Sequence, residues 1–336
     1  MGMKAVEKER LEKWREIYNF AQMIAAYEPW ELFAEENTFA LVPKGTRNEH
    51  YFSFLAESSG QCGIAIYPSG NTYVAAQFRL HGANPKREPL FDLQDAVILL
   101  WGDREDVSKD NYELIKALGL KFRGRGAWLH FEQYRLGYVP RQVQEQDMDR
   151  LLDDLRNLWM MVRAVCKEGL KTDFDNRKAV VRFYSEKDKL YYTGSFPVNL
   201  PGKISYPEII MQESADLQEL RTKRCRGSIA LDWSNLLASC REDGENIIPR
   251  LLLAVDVKSG VILETELLSP ADDPCASLFD MISRISWSYA KPTIIEICDA
   301  EIESYIADFC KQAGIQLVVK KQIKAITQAR RMYLER

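Results

Sequence analysis

The chain has 336 residues, with 45 Lys and Arg against 49 Asp and Glu and a formal net charge of -4. At roughly 100–200 residues per domain, that length gives two domains or three. A content of 46% hydrophobic and 28% charged residues excludes a disordered or fibrous chain. The near balance of charge excludes a simple polybasic nucleic-acid binder and leaves room only for local patches.

No apolar run reaches the ~18–20 residues needed to span a bilayer. The first fifteen residues alternate charge with apolar side chains and have no secretory core. Gly2 is followed by Val6, where a myristoylation signal needs Ser or Thr. The cysteines (Cys62, Cys166, Cys225, Cys240, Cys275, Cys298, Cys310) form no CxxC pair, and His50, His81 and His130 are dispersed. That pattern predicts reduced thiols in a cytoplasm, no membrane, no zinc site and no cofactor.

Leu11, Trp14, Tyr18 and Ala21 repeat at helical spacing before Pro29, which predicts an amphipathic helix and a bend over about residues 3–34. Short aromatic and β-branched pieces follow, Thr38–Val42, Tyr51–Leu55 and Gly63–Tyr67. Ala96–Trp101 is continuously apolar and predicts a buried strand. Ser108 caps a helix that Gly119 ends, and Ala127–Tyr134 is extended. The clearest helix follows Pro140, where Met148, Leu151, Leu155, Leu158, Val162 and Val165 make one stripe. Polar residues 171–178 mark a boundary, and Val180–Tyr184 with Leu190–Thr193 predict a hairpin. Glu208–Met211 suggests a strand, followed by a short helix ending in Arg221, Lys223, Arg224 and Arg226.

From Ser228 the order becomes regular. Strand Ser228–Trp233, hairpin Leu251–Asp256 with Val261–Leu267, and a helix capped by Asp273-Pro274 come first. That helix carries Leu278, Ile282, Ile285 and Tyr289 as its apolar face. Strand Thr293–Cys298, helix Glu301–Ala313, strand Ile315–Val319 and a helix from about Ile323 complete the chain. The right-handed crossover rule makes the last two strands parallel.

The β-β-β-α-β-α-β-α order of residues 226–336 resembles the ribonuclease H-like fold of ribonucleases H, integrases and transposases. The resemblance implies acids on the first strand, at the end of the fourth and on the last helix, which together hold two metal ions that clamp a phosphodiester. The matching residues are Asp232 in "IALDWS", Asp299 in "TIIEICDAE" and Glu335 in "RRMYLER". Asp232 and Asp299 would be the ligands of Mg or Mn. Ala300-Glu301 stands where integrases carry Asn-Gly. Each acid also has a plain structural account. Asp299 directly precedes a helix with Glu301 and Glu303 in its first turn, which suits an N-cap. Asp256, Glu264 and Glu266 form a second acidic set on the hairpin, where a solvated face accounts for them.

Other chemistries lack their residues. Gln61-Cys62-Gly63 suggests a nucleophile with His50, His81 or His130 as base, but an apolar strand raises a thiol pKa. No GxSxG, GxxxxGK[ST] or GxGxxG pattern is present. The Lys121–Gly126 stretch and the Arg221–Arg226 cluster are each suited to an anion or to solvent.

"FEQYRLGYVPRQVQEQDMDRLLDDLRNL", "PRLLLAVDVKSGVILETELLSP" and "KPTIIEICDAEIESYIADFCKQAGIQLVV" together look like a bacterial family of two joined domains of unknown function. The expectation is an α+β chain with an N-terminal domain over 1–170, a strand-rich connecting region over 171–226 and a ribonuclease H-like domain with a mixed sheet over 227–336. Its expected role is that of a non-catalytic binding protein in a bacterial cytoplasm. The partner is a protein or an anionic ligand, with nucleic acid reached through Arg221, Lys223, Arg224 and Arg226 or through the basic C-terminal helix. The alternative is a metal-dependent nuclease or strand transferase using Asp232, Asp299 and Glu335. Charge sharpens the choice of surface. Residues 261–310 carry ten acids against two bases, whereas residues 311–336 carry seven bases against one acid.

Overall fold

A computed structural model of the chain describes residues 3–46, 48–56, 61–81, 95–198, 200, 204–236 and 238–334. The chain divides into two compact units, Met1–Leu136 with Pro140–Ile204, and Gly137–Val139 with Ser205–Arg336.

The first unit opens with α1 (Met3–Ala25), where Trp14, Ile17, Tyr18, Ala21 and Ile24 recur on one buried face. The bend at Pro29 starts the single turn α2 (Pro29–Leu32). Then come β1 (Phe39–Val42), β2 (His50–Leu55), β3 (Cys62–Tyr67), α3 (Gly70–His81), β4 (Ala96–Gly102), α4 (Lys109–Ala117), β5 (Trp128–Tyr134) and α5 (Met148–Cys166). The hairpin of β6 (Lys178–Ser185) and β7 (Leu190–Pro197) closes the unit. The strands form one sheet in the order β5-β4-β3-β2-β1-β6-β7. Every neighbouring pair is antiparallel except β1 with β6.

Alternation along the strands sends Phe39, Phe52, Phe54, Ile64 and Leu99 to one side of this sheet, where α1 and α5 pack. The other side, with Ala40, Tyr51, Ala65 and Tyr67, meets Tyr73 and Val74 of α3. The sequence reading passed over α3, because Pro68, Ser69, Gly70 and Asn71 look like a turn. They are in fact a helix start. Ser69 Oγ accepts from the Thr72 N–H at 3.2 Å, and Thr72 Oγ1 accepts from the Ser69 N–H at 3.3 Å, in the reciprocal manner of a capping box.

The connecting region expected over 171–226 does not stand apart. Parallel pairing of Phe39 through Val42 with Val180 through Phe183 makes the β6–β7 hairpin part of the first sheet, so the first compact unit runs to Ile204 rather than to 170. The strand expected at Glu208–Met211 is also absent. Those residues are irregular, with the Ile209 N–H donating to Ser304 O and the Met211 N–H to Asp308 Oδ2.

The second unit contains α6 (Ala215–Thr222), β8 (Ser228–Asn235), β9 (Cys240–Glu242), β10 (Glu245–Ile247), β11 (Arg250–Asp256), β12 (Ile262–Leu268) and α7 (Pro274–Ser288). It ends with β13 (Ile294–Ile297), α8 (Ala300–Ala313), β14 (Gln316–Val319) and α9 (Lys324–Leu334). Its main sheet runs β12-β11-β8-β13-β14. In this sheet β11 is antiparallel to both neighbours, and β13 is parallel to β8 and also to β14, the second pairing as expected from the crossover between them. The polar loop at Asp243-Gly244 is itself a small hairpin. Both turn residues have positive φ, 47° and 85°, which suits an Asp-Gly turn of type I′.

Ile229, Leu231 and Trp233 face the core made with α7 and α8. Ala230, Leu253 and Val255 face the opposite way, onto Ile323, Ile326 and Ala329 around α9. Among the described residues, no helix is long and apolar enough to cross a membrane.

Candidate functional site

Strands β8 and β13 run parallel, and functional groups often gather at the carboxyl ends of such strands. The pleat puts Asp232 on the α9 face of β8, together with Ala230, and puts Trp233 on the α8 face. Asp232 is buried, and its Oδ2 accepts from Arg330 Nε of α9 at 2.5 Å. Arg330 Nη2 also donates to Trp233 O at 3.0 Å, so one guanidinium holds a side chain and the adjacent backbone.

On the other face, the Trp233 indole N–H donates to Asp299 Oδ2 at 3.1 Å. Asp299 Oδ1 accepts from the N–H groups of Glu301 at 2.7 Å and Ile302 at 3.4 Å. Asp299 is therefore the N-cap of α8, where a carboxylate also meets the positive end of the helix dipole. Arg250 stacks 4.4 Å over the Trp233 ring and lies 3.7 Å from Glu301, to which the Tyr305 hydroxyl donates at 3.2 Å. Burial, with the Glu301 charge beside it, pushes the Tyr305 phenol up to about 12. Cys298 directly precedes Asp299, and partial burial followed by the charge of Asp232 raises its thiol above the usual range.

The expected acids thus meet different partners. Asp232 is bound to Arg330 and Asp299 to Trp233 and the start of α8, while Glu335 lies outside the described residues. Among the described residues, no group of three or more His, Cys, Asp or Glu side chains is placed to hold a metal ion. The second acidic set is also engaged. Glu264 and Glu266 clamp Arg284 at 2.5 Å each, and Asp256 Oδ1 accepts from the Ser259 N–H and hydroxyl.

In the first unit, two of the histidines offered as a base for Cys62 are bonded to other groups. His50 Nδ1 lies 2.6 Å from Asp154 Oδ1 of α5, and His130 Nδ1 lies 3.2 Å from Trp128 O. The His81 side chain lies outside the described residues. Asp154 is buried, which raises its pKa against the opposing pull of His50. Asp95, Gln133 and Arg150 line a cleft beside it of about 10 Å³, enough for one water. The Lys121–Gly126 stretch is a solvent-facing loop, joined to Asp103 Oδ1 through the Gly126 N–H.

Two family descriptions match this chain. Residues 14–182 match "Domain of unknown function (DUF7309)", and residues 214–334 match "Domain of unknown function (DUF6930)". The chain belongs to the DUF7309 family. The DUF7309 match begins at Trp14 of α1 and ends in β6, and the DUF6930 match runs from Ser214, the cap of α6, into α9. No curated protein matches. Among solved structures, a chain of the "CryoEM structure of simian T-cell lymphotropic virus intasome in complex with PP2A regulatory subunit B56 gamma" is similar at 10% identity and a TM-score of 0.25. The similarity covers 32% of this chain and 40% of that one, well under two thirds of its length.

Within the DUF6930 region, Arg330 was expected only as part of the basic C-terminal helix and Trp233 only as the end of a strand, not as partners of the acids. A signal for Arg330 was present. It follows Ile323 and Ile326 at i, i+3, i+7, and an arginine on an apolar stripe calls for a buried partner. The basic cluster expected to act together is divided. Arg221 is engaged by Glu213 and by Gln312, whereas Arg224 and Arg226 are exposed. In the C-terminal basic segment, Lys320 pairs with Glu296 at 2.5 Å.

Proposed function

We propose that the chain is a non-catalytic binding protein of a bacterial cytoplasm, and that its second unit is a ribonuclease H-like sheet whose acid site is closed by an ion pair. The strand order of that sheet, third-second-first-fourth-fifth with the fourth and fifth parallel to the first, supports the fold reading. The observation that carries the functional reading is Arg330 on Asp232. A two-ion Mg or Mn clamp needs carboxylate oxygens free to bridge metals. Here a guanidinium takes Asp232 Oδ2, while an indole and two backbone N–H groups take both oxygens of Asp299. The donor set does not fit the metals. The free, scattered cysteines support the cytoplasmic setting.

The test is cleavage. Full-length protein incubated with Mg²⁺ or Mn²⁺ and mixed single- and double-stranded DNA and RNA is expected to leave every substrate intact. Metal-dependent cleavage that disappears in Asp232→Asn would overturn the reading and restore the nuclease built on Asp232, Asp299 and Glu335.

A further inference from the structure

At the amino ends of β8 and β13, opposite the closed acids, the second unit presents a different surface. The Arg226 N–H donates to Lys291 O at 2.8 Å, and Cys225 pairs with Lys291 as an isolated parallel bridge. This stitches the chain after α6 to the chain after α7. The segment that carries Lys223, Arg224 and Arg226 is thereby tied to the segment that follows Trp287 and Tyr289. Lys223 Nζ lies 3.2 Å from the centre of the Trp287 ring. The arginines are exposed and carry no ion pair among the described residues.

The aromatics are not spent on folding. The buried stripe of α7 is Leu278, Ile282 and Ile285, and Tyr289, expected to extend it, instead lies past the helix end at the C-cap. Trp287 is 44% exposed and Tyr289 67%. A lone exposed aromatic is ordinary, but two on a segment tied to a run of three cations are not. Beneath them the Lys291 ammonium is buried and donates to Arg221 O and Ala313 O. Two carbonyls hold it in place without cancelling its charge. Asp256 lies beside Gly227 at this end, and Ser259 engages one of its oxygens.

We propose that this corner, made of Lys223, Arg224, Arg226, Trp287 and Tyr289, binds single-stranded nucleic acid. The inference rests on the reading of the chain as a binding protein and names its partner. Flat, exposed rings stack unpaired bases of any sequence, while neighbouring cations track the phosphates. A duplex offers the cations its backbone but keeps its bases stacked on each other, so the rings favour the single strand.

The experiment is fluorescence anisotropy with the full-length protein in EDTA. The probes are labelled oligodeoxythymidine and oligouridine of about 12 nucleotides, with a duplex of the same length. Both single strands are expected to bind more tightly than the duplex and to weaken as salt rises. Trp287→Ala and Tyr289→Ala should each weaken binding about tenfold, and R224E/R226E should abolish it. K324E/R331E, on α9, should bind as the wild type does. Either ring variant is informative alone, and circular dichroism establishes that each variant is folded. The ratio of the two single-strand affinities separates DNA from RNA. Absence of binding, equal binding to the duplex, or loss confined to the α9 variant would overturn the proposal. Replacing EDTA with Mg²⁺ separates the two readings. Cleavage would refute the non-catalytic role and leave the binding corner intact, whereas an intact, unbound strand refutes the corner alone.

Discussion

Asp154 and Asp232 are both carboxylates buried between a strand and a helix, each hydrogen-bonded to a basic side chain, and the partners make them different devices. Asp232 faces a guanidinium, which stays charged at every pH a folded protein meets and offers a second donor to Trp233 O. Asp154 faces the imidazole of His50, which is charged only when protonated. The first arrangement is a fixed clamp across β8 and α9. The second ties β2 to α5 with a strength that follows pH. A buried acid thus acquires its role from the permanence of the charge opposite it, more than from its own depth.

The largest effect is expected where the permanent charge is removed. Arg330→Ala strands a buried carboxylate and should cost about 3 kcal/mol. That is the lower end for a broken buried pair, because part of the guanidinium reaches solvent. Arg330→Lys, a point charge without the fork, should lose less. The double variant D232L/R330L should recover most of the loss, because two apolar groups leave no orphaned charge. Urea unfolding of the three variants measures this. An Arg330→Ala protein as stable as the wild type would show that the pair closes nothing.

The next effect tests the pH side of the contrast. Burial raises Asp154 above its ordinary range, so across the interval between the two values the folded state holds more protons than the unfolded chain. Stability from this group is therefore greatest below the ordinary carboxylate range and falls as pH rises through the raised value. Asp173 and Asp308 run the other way. Hydrogen bonds, led by Lys178 Nζ and by the Met211 N–H respectively, lower them, so they add stability as pH rises. The informative quantity is the difference between wild type and Asp154→Asn, which keeps an acceptor for His50. That difference should move in favour of the variant as pH rises through the acid range, in unfolding curves taken at several pH values. A flat difference would contradict the burial argument.

How far the sequence foretold these features depended on whether neighbours in space were neighbours in pattern. The stripe Met148, Leu151, Leu155, Leu158 set α5, and Asp273-Pro274 set the start of α7, because both signals are local. The parallel pairing of β13 with β14 followed from the helical crossover between them. The placement of the β6–β7 hairpin did not, because its parallel partner β1 lies over a hundred residues earlier and polar residues 171–178 imitate a linker. Asp232 was found as a residue type but without its partner, and Asp154 was not singled out at all. Arg330 is 98 residues from Asp232 and His50 is 104 from Asp154, separations that no periodicity reports. Tyr289 passed as the end of an apolar face and Trp287 was not singled out, and only their exposure marks them as surface.

The smallest effect concerns Asp299, which shares the carboxyl end of the sheet with Asp232 yet needs no cation. Its oxygens are satisfied by two backbone N–H groups, the Trp233 indole and the dipole of α8. Asp299→Ala should therefore cost about 1 kcal/mol, the usual loss for an N-cap, and Asp299→Ser about half of that, because a hydroxyl keeps the cap but not the charge. The indole would then lose its acceptor, and its fluorescence should shift while that of Arg330→Lys does not. If Asp299→Ala instead proves as costly as Arg330→Ala, the two acids form one coupled cluster and the division between the faces of the sheet is wrong. A double-mutant cycle between the two sites decides this: side chains on opposite faces should add to within about 0.5 kcal/mol.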